Sequence, residues 1–150
     1  MTYDNLLIEA ETNGLIVKEK PLKAYRGRIK GNKIAIKQDL NTKEKTCVLA
    51  EELGHHYTSV GNILDQSKVE NRKQERKARA WAYNLLIPLN AFVDAYKAGV
   101  TNRYELAEFL EVSEEFLQEA IDYYSSKYGI CVKLDKHIIY FNPLGVMEIF

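Results

Sequence analysis

The chain has 150 residues, with 21 Lys+Arg balancing 21 Asp+Glu, 46% hydrophobic residues, ten tyrosines and five phenylalanines. That is enough apolar side chain to bury a core, and the near-zero net charge excludes a disordered composition. No apolar run approaches the roughly 20 residues of a membrane span, no signal-type leader is visible, and Cys47 and Cys131 are too few for a disulfide framework or a Cys-based zinc site. The expectation is a cytoplasmic single domain over residues 1–150, away from membranes, with both cysteines as buried free thiols.

Residues 3–12 (YDNLLIEAET) predict a short helix stopped by Asn13-Gly14, and Leu15-Ile16-Val17 is a β-type run. Two alternating segments, Tyr25–Lys30 and Lys33–Lys37, flank Gly31-Asn32, which is a hairpin signal because glycine tolerates the positive φ of the turn. From Thr42 the period becomes helical, with Asn41 or Thr42 as cap and Thr46, Leu49, Ala50, Leu53 and Tyr57 as the apolar stripe. Gly61-Asn62 closes that helix, and residues 62–69 read as a loop. A second long helix runs from about Val69 to Leu86, ending before Pro88, and a short one spans Pro88 to Ala98. Two further helices, joined by Glu111-Val112-Ser113, fill Asn102 to Tyr128. A tail hairpin crosses Asp135-Lys136, where His137 is an ordinary strand residue. The predicted class is α+β: a small N-terminal antiparallel or mixed sheet, a helical body over residues 1–98, and a C-terminal helical pair with a short hairpin over residues 99–150.

Charge is unevenly spread. Lys18 to Lys45 holds ten Lys/Arg and three acids, whereas Thr101 to Ser126 holds seven acids and one base, Arg103. A basic stretch of this kind suits either a solvated face or an anionic partner.

The segment that carries chemistry is Glu51-Glu52-Leu53-Gly54-His55-His56-Tyr57. Residues four apart share a helix face, so Glu51 and His55 point to one spot and Glu52 flanks it. This is the layout of the zincin helix H-E-x-x-H, where positions one and five bind metal and position two is the general base. Position one here is Glu51, and a carboxylate is an acceptable zinc ligand. In the shifted register, Glu52 with His56, the base would fall on Leu53, which takes no proton. The same letters also suit an exposed face of salt-bridged acids. A catalytic metal needs a third protein ligand. Glu75 lies three residues before Ala78, on the face of Ala78, Ala82, Leu85 and Leu86, and small alanines would let the two helices approach closely. A plain ion pair between Glu75 and Arg79 is the alternative role. Trp81 and Tyr83 read as core.

Over Gly14 to Pro88 the chain resembles the ImmA/IrrE family of metallopeptidases, on CVLAEELGHHYT, ERKARAWAYNLLIP and the lead-in from GLIVKEK to KQDL. The resemblance implies a compact zincin-like domain with Glu51, His55 and Glu75 as metal ligands, Glu52 as base, and His56 or Tyr57 as an outer-shell or oxyanion-stabilising group. Zinc is the implied metal, and the carboxylate-rich ligand set admits manganese or iron. It also implies a single protein substrate, a helix-turn-helix repressor of a phage or mobile element, cleaved to relieve repression. A degenerate module that only sequesters the repressor is the alternative, and a DNA-binding regulator using the basic hairpin of residues 23–37 is a third. The C-terminal helices have helix-turn-helix spacing, but Glu114, Glu115, Glu119 and Asp122 on the would-be recognition helix would repel phosphate. Direct contact with nucleic acid is therefore not expected.

Overall fold

The computed structural model describes residues 1–59 and 68–150, with side chains from Asn71 onward in the helix that begins at Lys68. Along the chain these form α1 (Tyr3–Thr12), β1 (Ile16–Lys20), β2 (Gly27–Lys30), β3 (Lys33–Lys37), α2 (Thr42–Thr58), α3 (Lys68–Leu86), α4 (Leu89–Lys97), α5 (Arg103–Leu110), α6 (Glu114–Tyr128), β4 (Cys131–Leu134), β5 (His137–Phe141) and β6 (Leu144–Glu148). The class is α+β, as expected. The predicted closure at Gly61-Asn62 lies outside the described residues, as does most of the predicted loop. Contacts divide the chain into two compact units, Met1–Leu85 and Leu86–Phe150.

In the first unit, α1 is capped at both ends. The Thr2 hydroxyl accepts from the Asn5 amide at 3.2 Å, and Gly14 turns the chain out at φ +80°. The sheet is mixed, in the order β1-β3-β2, with β1 parallel and β2 antiparallel to the central β3. Alternation sorts its residues: Ile34 and Ile36 are buried against α2, while Lys33, Lys18, Arg28 and Lys30 point the other way. Leu6, Ile36, Leu49 and Leu53 are sealed from solvent, each stabilising the unit by about 1.5–3 kcal/mol. A capping box starts α2: the Asn41 side chain accepts from the Glu44 amide at 2.9 Å, and the Glu44 carboxylate accepts from the Asn41 amide at 3.3 Å.

In the second unit, Asn102 and Ser113 cap α5 and α6, and Glu111 adopts a left-handed conformation (φ +57°) that reverses the chain between them. Tyr124, fully buried, donates its hydroxyl to the Ile87 carbonyl at 2.7 Å and packs its ring near Phe92 and Phe141. His137 is a buried strand residue. Three local expectations need correction. The tail is a three-stranded sheet, because Leu144–Glu148 returns along β5 after Pro143. Cys131 is exposed, since it begins an edge strand on the outward side, whereas Cys47 is buried. Tyr57 is 42% exposed, because the buried stripe of α2 ends at Gly54.

Candidate active site

Residues 51–58 form the last turns of α2, and two glycines determine what comes near them. A Cβ on Gly54 would lie 2.9 Å from the Ala78 carbonyl carbon and overlap the carbonyl oxygen, so α2 and α3 touch backbone to backbone. Ala78 and Ala82 are fully buried, as such a crossing requires. A Cβ on Gly27 would overlap the Val48 side chain and lie 3.1 Å from a Glu52 carboxylate oxygen, so β2 passes directly over Glu52. Neither glycine was singled out from the sequence. The available signal was a glycine inside a helical and inside a strand pattern, which marks close backbone approach.

The close crossing carries Glu75, one turn before Ala78, to His55: His55 Nε2 and Glu75 Oε1 are 3.2 Å apart. Glu75 therefore bonds across the helices, and Arg79 acts on it only through charge. The hydrogen bond with Glu75 raises the His55 pKa above 6.5 and lowers that of Glu75 below 4.5. Glu52, screened from solvent by β2, has its carboxyl pushed up to about 7 by burial; Glu51 and Glu75 push the same way and His55 opposes. Glu51 is half-buried and acts on Glu52 and His55 through its charge. The rings of His56 and Tyr57 meet each other at 4.9 Å, and Tyr57 lies 5.2 Å from half-buried Trp81, while Tyr83 is core.

Chemically the cluster is over-supplied with anions. Three carboxylates surround one imidazole, and one of them is driven to hold a proton near neutrality. A divalent cation suits that donor set, and His55 with Glu75 presents nitrogen and oxygen donors from separate helices to one point. Among the described residues, however, no group of three or more His, Cys, Asp or Glu side chains is gathered as a metal site. Glu51 is thus not drawn in with the pair. Without a cation between them, its carboxylate and those of Glu52 and Glu75 repel.

A helix bearing an acid and an imidazole is thus covered by a sheet strand and crossed by a second helix that carries another acid. The family model of the IrrE N-terminal-like domain, Peptidase_M78, matches residues 10–122, and the chain belongs to that peptidase family. The match runs from the end of α1 into α6, well beyond the stretch on which the resemblance rests. No curated protein and no solved structure matches significantly. No helix among the described residues is long and apolar enough to cross a membrane.

Proposed function

We propose that the chain is a metal-dependent endopeptidase of the cytoplasm, with Glu51, His55 and Glu75 as the metal donors and Glu52 as the general base. The observation that carries this reading is the approach of His55 to Glu75 at 3.2 Å beside a half-buried Glu52, in a chain of a peptidase family. For Glu51 to join the pair, its carboxylate must turn toward His55, a side-chain rotation within one helix face. A cation held there, zinc by preference, supplies polarisation of the scissile carbonyl and acidification of water. Glu52 accepts the proton from the attacking water and returns it to the leaving amine, a role suited to a carboxyl that titrates near neutral pH. The proposed substrate is a helix-turn-helix repressor of a phage or mobile element, cleaved to relieve repression.

A second reading is favoured by one observation: three donors are not gathered among the described residues, which suits a non-catalytic module that sequesters the same repressor. Zinc titration by calorimetry, with metal analysis of the purified chain and cleavage assays on a co-expressed repressor, separates the two. A peptidase should bind one zinc per chain. Glu75→Ala should lose that binding; Glu52→Gln should keep it while cleavage falls by about 10²–10⁴-fold, the usual general-base contribution. A correctly folded parent chain that takes up no zinc, manganese or iron overturns the catalytic reading.

A further inference from the structure

The outer face of the N-terminal sheet, turned away from α2, is a continuous cationic surface. Strand alternation and register place Lys18 and Lys20 of β1, Lys33 and Lys37 of β3, and Arg28 and Lys30 of β2 on this one side. The remaining outward strand positions are Ile16 and Ala35, so no acid stands on the face. The one acid in these strands, Glu19, has the opposite parity and pairs with Lys45 of α2. None of the six outward cations is in an ion pair among the described residues. Five of them, all but Lys37, line a groove of about 510 Å³. Arg28 also lies 5.8 Å from the ring of Tyr25, which is 59% exposed.

Six like charges crowded without counter-charges repel one another, and the fold gains nothing from leaving them unpaired. On a sheet such charges recur about every 6.6 Å along a strand and about 4.8 Å across strands. We propose that this face binds the phosphate backbone of duplex nucleic acid without reading its sequence. Charge density selects that partner. A duplex offers one negative charge per about 1.7 Å of axis and releases condensed counterions on binding, whereas an extended acidic peptide offers at most one per about 3.3–3.6 Å. Five of the six cations are lysines, compact point charges suited to phosphate, where carboxylate recognition favours the bidentate arginine fork. The centre of the face is Ala35, flanked by Lys18 and Arg28, so it lacks the aromatic platform on which single-stranded bases stack. The surface lies on the opposite side of the sheet from Glu52, and the inference stands apart from the peptidase reading. The acidic α6 argues only against a recognition helix; it leaves this sheet untouched.

The test is fluorescence anisotropy of the full chain with a labelled 30-base-pair duplex of arbitrary sequence. With about four phosphates engaged, affinity should fall roughly a hundredfold between 50 and 200 mM salt, and an unrelated duplex should bind equally. Lys18→Glu/Arg28→Glu/Lys33→Glu should abolish binding, and Lys133→Glu/Lys136→Glu, on β4 and the turn that follows it, should not. If the reversed triple variant fails to fold by circular dichroism, the glutamine triple at the same positions should lower the salt slope by about 2.7. Three results would overturn the proposal: no duplex binding at 50 mM salt, displacement of duplex by polyglutamate at equal charge, or salt-sensitive self-association of the chain that uses up the face.

Discussion

Two capped helices of this chain, α2 and α6, carry clustered acids to opposite ends. On α6, Glu114 and Glu115 occupy the exposed first turn, where they face the partial positive charge of the helix N-terminus, and Asp122 accepts a hydrogen bond from Gln118 in the exposed middle. On α2, Glu51 and Glu52 sit two turns past the capping box, Glu52 beneath β2, just before the glycine that touches α3. There the helix terminus gives them nothing, and burial holds the Glu52 carboxyl up to about 7. The residue type is the same in both places. What differs is how closely other backbone approaches, and on α2 two glycines set that distance.

The sharpest way to break the contrast is therefore to push the backbones apart. Glycine to alanine inside a helix ordinarily stabilises by up to about 1 kcal/mol. At Gly54 the added methyl meets the Ala78 backbone, which cannot rotate away, so Gly54→Ala should instead destabilise by about 1–3 kcal/mol. It should also separate His55 from Glu75 and weaken zinc binding in calorimetry. A variant that melts at or above the parent temperature would show that the helices do not need this contact.

Acidity gives a subtler comparison. In the metal-free chain the folded Glu52 keeps, between about pH 4.5 and 7, a proton that the unfolded chain has released. Stability contributed by Glu52 therefore falls as pH rises through that window. Glu52→Gln cannot ionise, so with chelator present it should gain on the parent between pH 5 and pH 8 in thermal melts. The His55–Glu75 pair behaves otherwise. Its contribution is fully present between about pH 4.5 and 6.5, and is lost above the raised pKa of His55 and below the lowered one of Glu75. Glu52→Gln keeps the Glu75 hydrogen bond that mainly sets this bell, and removes only the smaller push that the Glu52 charge gives His55. A parent-to-variant gap that stays constant with pH would mean that Glu52 is not buried from solvent.

What the sequence made legible followed from local chemistry. Asn13-Gly14 ends α1, Gly31-Asn32 turns the hairpin, and the spacing of Glu51 and His55 depends only on helical period. The α-helical crossing is half legible: the alanines of α3 signal close packing, but nothing local marks Gly54 as the residue that permits it. Parallel pairing of β1 with β3 has no local signal, because the partners lie about seventeen residues apart and no turn joins them. Strand β6 was missed because Pro143 and Gly145 break the β pattern at its start, and only the long β5 edge recruits it. Tyr57 shows the limit of periodicity. It falls on the apolar stripe, yet the buried part of α2 ends at Gly54, and the ring meets half-buried Trp81 of α3 while staying largely exposed.

The smallest effect lies on the other helix. If the acids of α6 serve only their own first turn, Glu114→Gln removes one favourable charge at an exposed N-terminus, a loss of about 0.3–1 kcal/mol that shrinks with added salt. The Ser113 hydroxyl still accepts from the Phe116 amide at 3.1 Å, so the helix start itself is kept. The substitution should therefore lower the melting temperature slightly at low salt and hardly at all at 1 M. Zinc affinity should be unchanged, which Glu75→Ala would not achieve. A salt-independent loss, or one well above 1 kcal/mol, would mean that Glu114 bonds to something besides its own helix end, and that the acids of α6 are not the simple solvated set that the comparison makes them.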